Sequence, residues 1–198
     1  SALGYIMRAV ALRPEVADFV NNLGNIHMAR DEIDDAEICY TKAMSLDPTL
    51  PNAHYNLGII HRSRGDMDEA TTCFRRVIEQ TPDFTMAYLA LGNTLQDMGR
   101  QEEALACLKT LVSVSPDFPQ GQFNFGFALK GADRPKEAEA ALKRGLALTP
   151  DYAEAWNVLG EIQRDCAEPE VAMSSFRRAL ELEPGLSAAH MNFGTLLK

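Results

Sequence analysis

The chain has 198 residues, of which 46% are hydrophobic, 24% charged and 8% aromatic, a globular composition that argues against wholesale disorder. No apolar run approaches the roughly 18 residues that a membrane-spanning helix needs, so no membrane insertion is expected. A net charge of −9 disfavours nucleic-acid and anionic-lipid partners, because both are held by clustered Lys and Arg that displace counterions.

Three residue series keep one spacing. Gly24, Gly58, Gly92, Gly126, Gly160 and Gly194 recur every 34 residues, as do Pro14, Pro48, Pro82, Pro116, Pro150 and Pro184, and Ala2, Ala36, Ala70, Ala104, Ala138 and Ala172. Three locked registers mark an internal repeat. Within each period apolar residues recur at three- and four-residue spacing, without strand-like alternation, so each unit is expected to hold two helices.

In chain order, residues 1–16 match only a second helix, through Ala2, Ile6, Ala9 and Pro14. Full units are expected at 17–50, 51–84, 85–118, 119–152 and 153–186. In the second of these, Ala53, Leu57, Ile60 and His61 mark one helical stripe. Gly65 then stands where a left-handed C′ residue is wanted. Asp66 and Glu69 have capping-box spacing, Ala70, Phe74 and Val77 form the next stripe, and Pro82 ends it. Pro135 and Pro169 take the first-turn position of later second helices, where a missing N–H costs nothing. Residues 187–198, with Ala189, His190, Phe193 and Gly194, match only a first helix. Neither half unit has a polar capping helix, so the chain is expected to be a piece of a longer array. Its last first helix could accept the first second helix of another copy, giving head-to-tail self-association.

These residues resemble the tetratricopeptide repeat, a helix–turn–helix unit of the same period. With each unit numbered from seven residues before its glycine, the family's large residue at position 4 is matched by His54, Tyr88, Trp156 and His190, and less closely by Val20 and Gln122. Position 7 is Leu23, Leu57, Leu91, Phe125, Leu159 and Phe193. The second-helix aromatic is Tyr40, Phe74 and Phe176, replaced by Leu108 and Leu142. The resemblance implies an all-α protein, a right-handed α-solenoid superhelix of antiparallel helix pairs.

Chemistry is scarce. Cys39, Cys73 and Cys107 are repeat-equivalent residues on successive helices, which pack about 8–10 Å apart, beyond the roughly 7 Å disulfide reach; they read as small packing residues. Cys166 stands alone, and reduced thiols fit a cytoplasmic setting. His27, His54 and His61 fall at core positions, with no carboxylate or cysteine expected at ligand distance. No H-E-x-x-H, G-x-S-x-G, Walker-type or dinucleotide glycine motif occurs. No catalytic residue, metal or cofactor is expected, and the chain itself is read as non-enzymatic. In unit 119–152, Gly121 and Gly145 stand where the family prefers Ala, which close packing accounts for without a hinge.

The resemblance places ligand contacts on a concave face lined by first helices, at positions 2, 5, 9, 12 and 13. These are Asp18, Asn21, Asn25 and Met28; Asn52, Tyr55, Ile59 and Arg62; Met86, Leu89, Asn93 and Gln96; Gln120, Phe123, Phe127 and Lys130; and Glu154, Asn157, Glu161 and Arg164. Tyr55, Phe123 and Phe127, with Ile59 and Leu89, are the expected apolar anchors for an extended peptide or protein segment. Asn22, Asn25, Asn56, Asn93 and Asn124 are the expected partners of its backbone. No position-5 residue is cationic, so the clamp by which chaperone-binding members hold a terminal carboxylate is missing. Asn22, Asn56, Asn124 and Asn192 at position 6 resemble the asparagine ladder of O-GlcNAc transferases, although such amides can equally bond between neighbouring helices. Two functions follow: a non-catalytic protein-binding scaffold, or the substrate-recognition arm of a larger enzyme such as a glycosyltransferase. Self-assembly through the open ends is compatible with either.

Overall fold

The computed structural model describes residues 2–196. These form twelve α-helices and fall into two compact units that divide after Met98. The first holds α1 (Ala2–Leu12), α2 (Ala17–Ala29), α3 (Ile33–Leu46), α4 (Pro51–Arg64), α5 (Met67–Gln80) and α6 (Thr85–Asp97). The second holds α7 (Gln101–Val114), α8 (Pro119–Gly131), α9 (Pro135–Leu148), α10 (Ala153–Asp165), α11 (Pro169–Leu182) and α12 (Ser187–Leu196). In the first unit α2 packs on α3 and α4 on α5; in the second α8 packs on α9 and α10 on α11.

The turn inside each pair is set by one left-handed residue. Asp31, Gly65, Gly99, Asp133 and Ala167 all have positive φ, between 56° and 88°, and stand 34 residues apart. After four of them the next N–H reaches back to close the first helix: Glu32 to the His27 carbonyl (2.9 Å), Asp66 to His61 (2.9 Å), Arg134 to Leu129 (3.0 Å) and Glu168 to Gln163 (2.9 Å). These bonds satisfy carbonyls that a helix end otherwise leaves open. The capping box expected at Asp66 does not form. Asp66 is the N-cap, but its ψ of 68° falls short of extended geometry and its side chain caps nothing; its carboxylate instead lies 3.7 Å from Nδ1 of His61.

The recurring glycine is explained by what faces it. A Cβ on Gly24 would stand 2.6 Å from the Tyr40 ring, on Gly58 2.7 Å from Phe74, on Gly126 2.8 Å from Leu142 and on Gly160 2.6 Å from Phe176. Each glycine lets the side chain sixteen residues later lie across the first helix. Tyr40, Phe74 and Phe176 are fully buried as a result, each contributing about 1.5–3 kcal/mol of apolar burial. Gly121 likewise packs tightly, a Cβ there meeting Leu111 at 3.1 Å, and close packing accounts for it.

Position 4 has a second role that its varied chemistry hides. Nε2 of His54, Gln122 and His190 and Nε1 of Trp156 lie 2.9, 3.0, 2.9 and 2.9 Å from the carbonyls of Pro48, Pro116, Pro184 and Pro150. Four side chains of three kinds thus donate one N–H to the proline carbonyl six residues earlier. The bond ties the start of each first helix to the turn before it and satisfies a carbonyl in the kinked linker.

Candidate functional site

The residues expected to bind lie on the first helices. In the first unit, α4 and α6 carry an apolar strip of Tyr55, Ile59 and Leu89, all half-buried. Tyr55 is held by rings, its centroid 5.8 Å from Phe74 and 5.3 Å from Phe84, and burial pushes its phenol above the ordinary range. Asn22 and Asn52 are exposed, while Asn93 and Gln96 are half-buried on α6. Arg62 is engaged by Asp97 of α6 at 2.7 Å, so it does not stand as an open cation.

Two expectations in this unit are corrected. Asn21 is 3% exposed, with its Oδ1 buried and unpaired, and cannot face a ligand. Asn25 and Asn56 are spent partly on the fold: Oδ1 of Asn25 accepts from the Tyr40 hydroxyl and from Nδ2 of Asn56, both at 2.9 Å. The amide ladder here bonds helix to helix. The surroundings of the histidines are corrected too. Glu32 lies 2.7 Å from Nδ1 of His27, and with Asp35 the three residues offer ligand atoms within 4.8 Å of one another. Glu32 also pairs with Arg30 at 2.9 Å, and the arrangement recurs one period later as His61 and Asp66, so it belongs to the turn.

In the second unit Phe123, expected as an exposed anchor, is 1% exposed and packs against Gly145. Phe127 and Asn124 stay half-buried on α8, and Phe127 and Phe123 lie 6.5 and 4.7 Å from the ring of Tyr152. Lys130 is neutralised by a direct ion pair with Glu161. Glu161 also accepts from Nδ2 of Asn157 (3.0 Å) and of Asn192 (2.8 Å); Asn192 in turn donates to Oδ1 of Asn157 (3.1 Å) and accepts from Arg164 (3.2 Å). This network joins α8, α10 and α12 and fixes the wall of a groove.

The groove, of about 660 Å³, runs along the first-helix side between α10 and α12. Glu154, Asn157, Val158 and Glu161 line it from α10, together with Asp151, Tyr152, Glu183 and Leu186 of the turns on either side. Its lining carries four carboxylates and no cation. Burial and the Glu154 carboxylate, which accepts from the Tyr152 hydroxyl at 2.8 Å, push that phenol up to about 12.

Tyr152 and Leu186 were missed by counting positions on first helices. Each is the last residue of the preceding unit, the N-cap or turn residue that leads into the helix. The signal was present: Leu50, Phe84, Phe118, Tyr152 and Leu186 form an apolar series with the same 34-residue spacing. Its rings cover position-5 side chains, as Phe84 does Tyr55 and Tyr152 does Phe123.

Models of the tetratricopeptide repeat match residues 51–84, 73–106 and 123–187, and a TPR repeat model matches 24–61. No curated protein matches the chain. Among solved structures it is similar to YrrB, a TPR protein with an unusual peptide-binding site, at 22% identity and TM-score 0.80 over 94% of this chain and 96% of that one. It is also similar to MamA (41-end) from Desulfovibrio magneticus RS-1, at 22% identity and TM-score 0.76, over 86% and 97%. Pseudomonas aeruginosa pilF matches at 18% identity and TM-score 0.74, over 93% and 90%. At these identities the likeness is one of fold, the stacked helix pairs of the α-solenoid class.

Proposed function

The chain belongs to the tetratricopeptide-repeat family, and from that premise we propose that it is a non-catalytic scaffold which binds an extended segment of a partner protein along its first-helix faces. Proteins of this family generally mediate protein–protein interactions, and the peptide-binding site named for YrrB supports the same reading here. The observation that carries it is the groove between α10 and α12. It is concave and sets the apolar Tyr152, Val158 and Leu186 among polar groups fixed by the network of α8, α10 and α12, a combination suited to a ligand. In the first unit Tyr55, Ile59 and Leu89 supply the matching apolar strip, with Asn22 and Asn52 beside it for peptide backbone groups. The carboxylates favour a segment that carries Lys or Arg among its apolar residues.

The test is a peptide-array screen followed by titration of the bound sequences. Val158→Arg puts a cation and bulk into the groove without touching the buried core. Binding weakened at least tenfold in that variant, with its helical content intact, is the expected result; unchanged binding by every selected peptide places the site elsewhere.

A further inference from the structure

We propose that the second unit carries another docking surface, on its second-helix side between α9 and α11, for a partner segment that presents apolar side chains flanked by carboxylates. The argument starts from a break in the repeat. Position 19, in the first turn of the second helix, is Asp35, Glu69, Glu103 and Glu137, and then Val171. A carboxylate is the favourable choice there, because the first turn of a helix attracts negative charge. Two of the four are further held by ion pairs, Glu103 with Arg100 (2.7 Å) and Glu137 with Arg134 (2.8 Å). In the last full unit the Arg is Glu168 and the Glu is Val171, so both pairing partners are lost. Val171 stands 46% exposed, an apolar side chain where the pattern dictates charge.

The same break sits over a cavity. A groove of about 550 Å³ has Leu146, Leu159 and Trp156 on its floor and Val171 on one wall. Two polar groups of the lining are already paired: the Ser175 hydroxyl donates to Oε1 of Gln163 at 2.7 Å, and Nε1 of Trp156 donates to the Pro150 carbonyl at 2.9 Å. An apolar occupant therefore strands neither of these donors by covering them. Trp156 is also the largest side chain in the position-4 series and the only tryptophan in the chain.

Charge identifies the occupant. The lining includes Lys143 and Arg178 at its edges and no carboxylate, in a chain whose net charge is −9. Among the described residues each cation pairs with a neighbour on its own helix, Lys143 with Glu139 (2.7 Å) and Arg178 with Glu181 (3.0 Å). Exposed pairs of this kind contribute little and exchange readily for a carboxylate brought by a partner. Two separated cations over an apolar floor do not make a phosphate-tracking surface, whereas an amphipathic acidic segment meets both features. Tryptophan and arginine beside a desolvated pocket are the side chains that dominate such interfaces.

The decisive variant is Val171→Glu, which restores the residue type found at 103 and 137 and so leaves the fold intact. Peptides of 16 residues displayed on phage are selected on the wild-type chain, and the enriched sequences are synthesised and titrated by Trp156 fluorescence. The proposal expects peptides with two or more apolar residues flanked by Asp or Glu, a shift in Trp156 emission, and at least tenfold weaker binding to Val171→Glu. Lys143→Glu weakens binding as well and flattens its salt dependence, while Val158→Arg, on the first-helix side, leaves it unchanged. The proposal fails if no peptide is enriched, if the enriched peptides are cationic, if Val171→Glu binds them as well as wild type, or if the tryptophan does not respond. It also fails if sedimentation shows self-association abolished by Val171→Glu, since the occupant is then a second copy of the chain.

Discussion

The ring of Phe123 fills the space that a side chain on Gly145 would need: a Cβ there would stand 2.5 Å from Cε1 and 2.6 Å from Cδ1. The two residues hold positions 5 and 27 of one unit, and the same positions carry Asn21 with Ala43, Tyr55 with Val77, and Asn157 with Ala179. Only the pair with glycine admits the aromatic ring to the core. Tyr55, facing a unit with Val77 at position 27, stays half-buried and rests on Phe74 and Phe84 instead.

Gly145→Ala is therefore expected to destabilise the protein by about 1–3 kcal/mol, the range for forcing extra volume into a packed core. In a Phe123→Leu background the penalty of the same substitution falls by more than half. Urea denaturation of the four proteins in this cycle measures it, and equal penalties in both backgrounds would show that the glycine answers to something other than the ring.

Ala167 has φ of 61° without the benefit of glycine or of an Asp side chain. Ala167→Gly is expected to stabilise the protein by about 1 kcal/mol, with a smaller gain for Asp133→Gly because Asp tolerates the left-handed region better. The midpoint of urea unfolding reads the difference. A lowered midpoint in Ala167→Gly would contradict the strain argument.

Tyr40 sits buried with its hydroxyl donating to Asn25, and burial, followed by the nearby Cys39, pushes its pKa up to about 12 from 10. The folded state therefore favours the protonated phenol. Its contribution is complete below pH 10 and is lost as the pH rises through about 12. Tyr40→Phe is expected to cost about 1 kcal/mol at neutral pH through the lost hydrogen bond. Above pH 10 that deficit shrinks or reverses, because the variant has no phenol to ionise. Parallel unfolding curves from pH 8 to about 11.5 test this, and a difference independent of pH refutes it.

Trp156→Phe keeps a large ring at position 4 but removes the donor to the Pro150 carbonyl. A loss of about 0.5–1.5 kcal/mol is expected. His54→Phe should cost less, since the Pro48 carbonyl also accepts from Nε2 of Gln80 at 3.2 Å. Thermal or urea unfolding of the two variants gives the order, and the reverse order would mean that ring volume rather than the hydrogen bond governs the position.

Much of the architecture could be read directly from residue spacing. A 34-residue period in glycine, proline and alanine, with apolar stripes at helical spacing, determined twelve helices and the turns between them, because those features act locally through the backbone and through one helix face. Gly65 as a left-handed residue and Pro135 and Pro169 at first turns are local statements of the same kind. The candidate site was legible only as a list of positions. Whether a position-5 residue is an anchor or core, as with Tyr55 and Phe123, depends on the volume of a residue twenty-two places later, and side chains at one position meet different partners in different units. The same holds for the amides. Asn56 and Asn192 share position 6 and read alike in the sequence, but tertiary neighbours decide that they bond between helices, because a polar group half-withdrawn from water takes the nearest donor or acceptor. The grooves, too, exist only where packing brings together α10 with α12 and α9 with α11, so that Tyr152 and Val171 come to line cavities that their place in the sequence does not announce.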